Sequence, residues 1–135
     1  MDSRLLRLLE DYRAAVREAV ELMARAGIPK PATAVDWVAY GPRRAALPDG
    51  ASFYKHGIGC SATLSSGPVD FDFGEHGETD GFDLWRLTEF WRARRRAYGF
   101  ASEAEVRRCF EAAAAAGEVV APRGSTLFYL EQPRS

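Results

Sequence analysis

Two cysteines, Cys60 and Cys109, are all the thiol this 135-residue sequence offers, in neither a CxxC nor a zinc-ligand spacing. A disulfide framework and a cysteine-built metal site are therefore not the expectation, and a reducing cytosol is. Net charge is nearly absent too, at −1, which removes any global electrostatic case for nucleic acid or an anionic membrane. No stretch approaches the roughly 20 apolar residues that a membrane span needs, and MDSRLLRLLEDYR has no signal-peptide core. A soluble cytoplasmic protein is expected. With 47% hydrophobic and 27% charged residues, the chain is long enough to bury one core without staples, so one globular domain is the default.

What the sequence does have is concentrated in residues 53–85. Six of the 12 glycines lie there, Gly57, Gly59, Gly67, Gly74, Gly77 and Gly81, with both histidines and Cys60. From Ser65 to Phe90 there are seven acids and one base, and Arg92, Arg94, Arg95 and Arg96 follow at once. Glycine permits close backbone approach and positive φ, so this density marks a shaped surface.

Leu5, Leu9, Tyr12, Val16, Val20 and Met23 recur at helical spacing, with Asp2 or Ser3 as N-cap and Gly27-Ile-Pro29 as the stop, giving a helix over 3–26. Four prolines between Gly27 and Gly50 predict a long loop over 27–50 with at most one brief element. Phe53–Leu64 and Val69–Phe73 read as two strands of a hairpin over 53–73. With the turn on Ser66 and Gly67, Leu64 faces Val69, Ala62 faces Phe71 and Cys60 faces Phe73 on an apolar side, while Thr63 faces Asp70 and Ser61 faces Asp72 on a polar one. Helices are predicted over 81–98, opened by Asp80-Gly-Phe-Asp83, and over 102–116, opened by the S-x-x-E box Ser102–Glu105. A closing hairpin over 118–131 completes an α+β domain, an antiparallel sheet of two hairpins packed with three helices.

Five chemistries compete for the glycine and acid segment. A His56–Cys60 nucleophile pair fails in an extended strand, where four residues span roughly 13 Å. Metal binding by Asp70, Asp72, Glu75 or His76 finds only a partial EF-hand match, because Gly74 and His76 stand where oxygen ligands belong. No metal and no cofactor is predicted. Acid and base work by Asp70 and Asp72 needs burial, yet strand alternation sends the Phe71 and Phe73 rings to the opposite face. Recognition fits better: an acidic rim of Asp70, Asp72, Glu75, Glu78 and Asp80, with Trp85 off the Leu84, Leu87, Trp91 stripe and Arg86 beside it, suits a basic protein surface. Lastly, residues 105–131 have the outline of a winged-helix recognition helix and wing, with Arg92, Arg94, Arg95, Arg96, Arg107, Arg108 and Arg123 for phosphates, but the neighbouring acids disfavour nucleic acid.

The runs His56-Gly-Ile-Gly-Cys60, Val69-Asp-Phe-Asp-Phe-Gly74 and Gly81-Phe-Asp-Leu-Trp-Arg-Leu87 resemble the core pattern of an uncharacterised bacterial domain family of unknown function. The resemblance covers residues 53–90 and, more loosely, the closing helix and hairpin. It implies a small bacterial protein, with similar proteins found in polymorphic-toxin settings where small neighbours serve as immunity proteins; it carries over no catalytic residue. The expectation is a protein-binding module, of the kind that neutralises a toxin through an acidic face, and the sequence leans away from an enzyme without deciding the question. The alternatives are an enzyme or divalent-metal domain using Asp70 and Asp72 with His56 or His76, and a winged-helix-like nucleic-acid binder.

Overall fold

A computed structural model describes residues 1–39, 43–46, 50–55, 59–122 and 125–130. In chain order these form α1 (Ser3–Arg25), α2 (Ala34–Ala39), β1 (Arg43–Ala46), β2 (Ser52–Lys55), β3 (Gly59–Leu64), β4 (Gly67–Asp72), α3 (Leu84–Arg94), a 3-10 turn (Arg95–Ala97) and α4 (Glu103–Ala115). The α+β class holds, and the described residues form four α-helices and one antiparallel sheet in the order β1-β2-β3-β4. The chain divides into two compact units, residues 13–79 and residues 1–12 with 80–135.

The unit of residues 13–79 is organised by its sheet. Phe53, Cys60, Ala62, Leu64, Val69 and Phe71 are buried, and their strand neighbours Tyr54, Thr63, Pro68 and Asp70 are exposed. This is the period-2 split of a sheet with one face in the core and one in water. The predicted segment 53–64 is not one strand. It folds back on itself, so that Lys55 lies opposite Cys60 and Phe53 opposite Ala62.

The β3–β4 pairing also differs from the predicted register, by two residues: Cys60 opposes Phe71 and Ala62 opposes Val69. The two-residue turn is Ser65-Ser66, and Gly67, at φ 125°, follows it where a left-handed residue restarts the strand. Because side chains alternate with period 2, a slip of two leaves every residue on its predicted face.

The predicted loop 27–50 holds α2 and β1. Thr33 caps α2, its hydroxyl accepting from the Asp36 amide at 3.0 Å, and the helix delivers Trp37 to the core. The Trp37 ring meets Phe73 edge-on at 4.8 Å and Phe53 at 6.5 Å, spacings typical of favourable aromatic pairs.

In the other unit, α3 is shorter than predicted because Asp83, not Asp80, is its N-cap, accepting from the Arg86 amide at 2.7 Å. Phe82 is instead bridged to Phe128. Ser102 caps α4 as its box predicts, and Gly117 ends it at φ 73°. Among the described residues the expected closing hairpin over 118–131 is reduced to a single bridge, Val120 to Tyr129, and Phe128 pairs instead with Phe82. Leu5, Leu8, Leu9, Tyr12, Leu87, Trp91, Val106 and Phe110 form the buried core.

A polar clamp closes this unit. Arg4 lies over the Phe100 ring and pairs with Asp2 and Glu105, and its guanidinium holds the Asp2 carboxyl below the usual carboxylate range. Tyr98 donates to Asp11 at 2.8 Å, and burial, ahead of that hydrogen bond, pushes its phenol well above 10. The fold keeps this proton where the unfolded chain releases it, so the contribution is complete below about pH 10 and lost as the pH rises further. Tyr98→Phe is expected to flatten the alkaline loss of stability, read as urea midpoints between about pH 9 and 11; equal slopes in both proteins would show that Tyr98 does not set it.

Candidate functional site

The seven residues expected to bind a partner fall in both units. Asp70, Asp72, Glu75 and Glu78 belong to the unit 13–79, and Asp80, Trp85 and Arg86 to the other.

In the first group, β4 places Asp70 and Asp72 two residues apart on the solvent side of the sheet, with Asp70 exposed and Asp72 half-buried. Across the strands Asp70 opposes Ser61, Ser61 opposes Tyr54, and Tyr54 opposes Arg44. One straight row therefore runs from a cation at the β1 edge to an anion at the β4 edge. The Arg44 guanidinium lies 4.6 Å from the centre of the Tyr54 ring, held over the face by the ring's electron density. The next row is Ala46, Ser52, Thr63 and Pro68, which is small and uncharged.

Beyond β4 the chain makes a tight turn. The Gly74 amide donates to the Glu78 carbonyl at 2.8 Å, and the His76 amide donates to the Glu78 carboxylate at 2.9 Å. Glu78 is thus engaged in shaping its own turn, whereas Glu75 and His76 are exposed. The Ala34 amide donates to the Glu75 carbonyl at 3.3 Å, and Gly77, at φ 76°, packs so closely on the 31–32 backbone that a Cβ would lie 2.3 Å from the Pro31 carbonyl oxygen. Glycine is required there by both conformation and space.

In the second group, the Asp83 carboxylate that caps α3 also accepts from the Arg86 guanidinium at 2.6 Å. Asp80 is exposed, and Trp85 is 66% exposed, off the buried stripe of Leu87 and Trp91 as its phase predicts. Three of the arginines that follow are held within their own unit: Arg92 pairs with Glu89 and Glu103, Arg94 covers Phe90, and Arg95 lies over Trp91.

Cys60 is buried at 1% exposure on the apolar face, as strand alternation predicts, and His56 lies outside the described residues. No group of three or more His, Cys, Asp or Glu side chains fit to hold a metal ion is assembled among the described residues. A groove of about 420 Å³ does occur in the unit 13–79, but Glu18, Glu21, Leu22, Arg25, Leu64 and Ser65 line it, with neither Asp70 nor Asp72. Among the described residues no helix is long and apolar enough to cross a membrane.

Lys55 escaped the sequence reading. It is fully buried on the core face, its ammonium 4.9 Å from the centre of the Trp37 ring. Treating 53–64 as one strand assigns Phe53 and Lys55 to the polar side and Tyr54 to the apolar one. The reversal between Lys55 and Gly59 inverts that phase, and Gly57 and Gly59 are the signal that could have revealed it.

These features define a small α+β domain whose four-stranded antiparallel meander keeps one face in the core and presents a polar face bounded by charges of opposite sign. The chain belongs to the DUF6896 family, a domain of unknown function, whose model matches residues 5–130. Searches of the curated proteins and of the solved structures found no match.

Proposed function

We propose that this chain works by binding another protein through the solvent face of the meander and the acidic turn that follows it, in the manner of an immunity protein that neutralises a toxin. The observation that carries this reading is the placement of Asp70, Asp72 and Glu75. The two aspartates lie on the open side of the sheet, outside the groove, and Glu75 sits on a turn fixed by backbone hydrogen bonds. Pre-organised surface charge of this kind favours steering and specificity over chemistry, because it needs no reorganisation on contact. The exposed Trp85 adds, in the other unit, a residue type that often dominates binding energy.

The test is capture from a lysate of the organism that carries the gene, with the chain immobilised at low salt. Reversal of Asp70, Asp72 and Glu75 to lysine is expected to abolish recovery of a specific protein, with the thermal midpoint of the variant measured alongside to show that it is folded, since the half-buried Asp72 costs more to replace than the two exposed acids. Undiminished capture by the triple variant would eliminate the acidic face as the binding surface.

A further inference from the structure

We propose that the polar face of the meander associates with the same face of a second copy of this chain, through a two-fold axis that runs along the strands. This deepens the protein-binding reading and rests on it, because it uses the same face and names the partner. The argument is charge complementarity within one register. Arg44, Tyr54, Ser61 and Asp70 stand directly opposite one another across β1, β2, β3 and β4, all on the solvent side. Rotation by half a turn about the strand direction carries the β1 edge over the β4 edge of the second copy and leaves position along the strands unchanged. Each Arg44 guanidinium then meets the other copy's Asp70 carboxylate, twice by symmetry, and each Tyr54 meets a Ser61.

The neighbouring row behaves the same way: Ala46 meets Pro68, and Ser52 meets Thr63. These side chains are small and uncharged, so two sheets can approach to the usual face-to-face spacing of about 10 Å with no like charges brought together. The cation–π contact at 4.6 Å keeps Arg44 above the face rather than beyond its edge. An interface of this kind is isologous, and a patch with opposite charges at its two edges is self-complementary under such an axis. Its size sets its strength. Four strands about 4.8 Å apart and about five residues long offer on the order of 300 Å² per copy, well under the ~800 Å² per partner of a standard stable interface. The pair is a weak, salt-sensitive association.

Sedimentation equilibrium of the full chain, from about 10 μM to 1 mM, tests this. At low salt the average mass is expected to climb from 14.9 kDa toward twice that value, and to fall back in 0.5 M salt. Arg44→Glu and Asp70→Arg should each weaken self-association by about tenfold or more, since each places like charges face to face twice. Mixing the two variants should restore association, because both contacts between unlike chains are again of opposite sign. A chain that stays monomeric at 1 mM and low salt, dimers indifferent to both reversals, or variants that fail to associate when mixed would each overturn the proposal. A monomer whose capture of a different protein still depends on Asp70 would overturn the pairing and leave the binding reading standing. Salt-sensitive, reversal-sensitive pairing with lysate capture unaffected by Asp70 would support the pairing and remove the reading of a toxin partner on this face.

Discussion

Trp37→Ala will destabilise the chain by about 3–5 kcal/mol, the usual cost of truncating a buried tryptophan. Trp37 is 1% exposed and meets Phe73, Phe53 and the Lys55 ammonium at once, so alanine removes two aromatic contacts and the ring face that receives a buried charge. Against a total stability of about 5–15 kcal/mol, that loss leaves a large part of the chain unfolded at moderate denaturant. Urea unfolding followed by circular dichroism measures it. Trp37→Phe, which keeps a ring edge against Phe73, should cost less than half as much. A loss below about 1 kcal/mol for the alanine variant would mean that the ring is not packed as described.

The second large effect is expected at Gly77→Ala. A non-glycine residue at φ 76° costs about 1–2 kcal/mol, and forcing a Cβ against the Pro31 carbonyl oxygen adds roughly 1–3 kcal/mol of overpacking. The obstacle is backbone, which cannot swing aside as a side chain would. The turn from Gly74 to Glu78 should therefore open, and hydrogen exchange at the Gly74 and His76 amides should accelerate beyond the global change. Gly27→Ala gives a useful comparison, since Gly27 has nearly the same φ, 78°, and nothing lies within 4 Å of where its Cβ would stand. Equal losses at Gly27 and Gly77 would show that conformation alone, and not the contact with Pro31, sets the cost.

The sequence was most legible where local chemistry decides structure. The Leu5-to-Met23 periodicity, the Gly27 stop and the Ser102 box give α1 and α4 nearly to the residue, because caps and periodicity act within one or two turns. Asp83 was harder to place, since two aspartates three residues apart both offer a cap. The choice between them depends on Phe82, which pairs with Phe128, 46 positions later in the chain. Long-range pairing of that kind leaves no local signature.

The site was half legible. The faces of β3 and β4 follow from alternation and survive a register slip of two, so Ser61, Thr63, Asp70 and Asp72 were placed together correctly. Arg44, Tyr54 and Lys55 were not. Their positions depend on the reversal between Lys55 and Gly59, and one missed reversal inverts the phase of everything before it. Trp85 falls off the apolar stripe by helical phase, which does not by itself choose between the surface and the edge of the core, and Arg86 could not be matched to Asp83 without knowing which aspartate opens the helix.

Every strand of the meander pairs with its neighbour in the chain, and that has a kinetic meaning. Each pairing closes only a short loop, so little chain entropy is spent before contacts form. The Ser65-Ser66 turn, tightest of the connections, is the natural point from which the ladder zips outward, with β2 and then β1 added in succession. Substitutions near that turn should then slow folding, whereas those in β1 should mainly hasten unfolding.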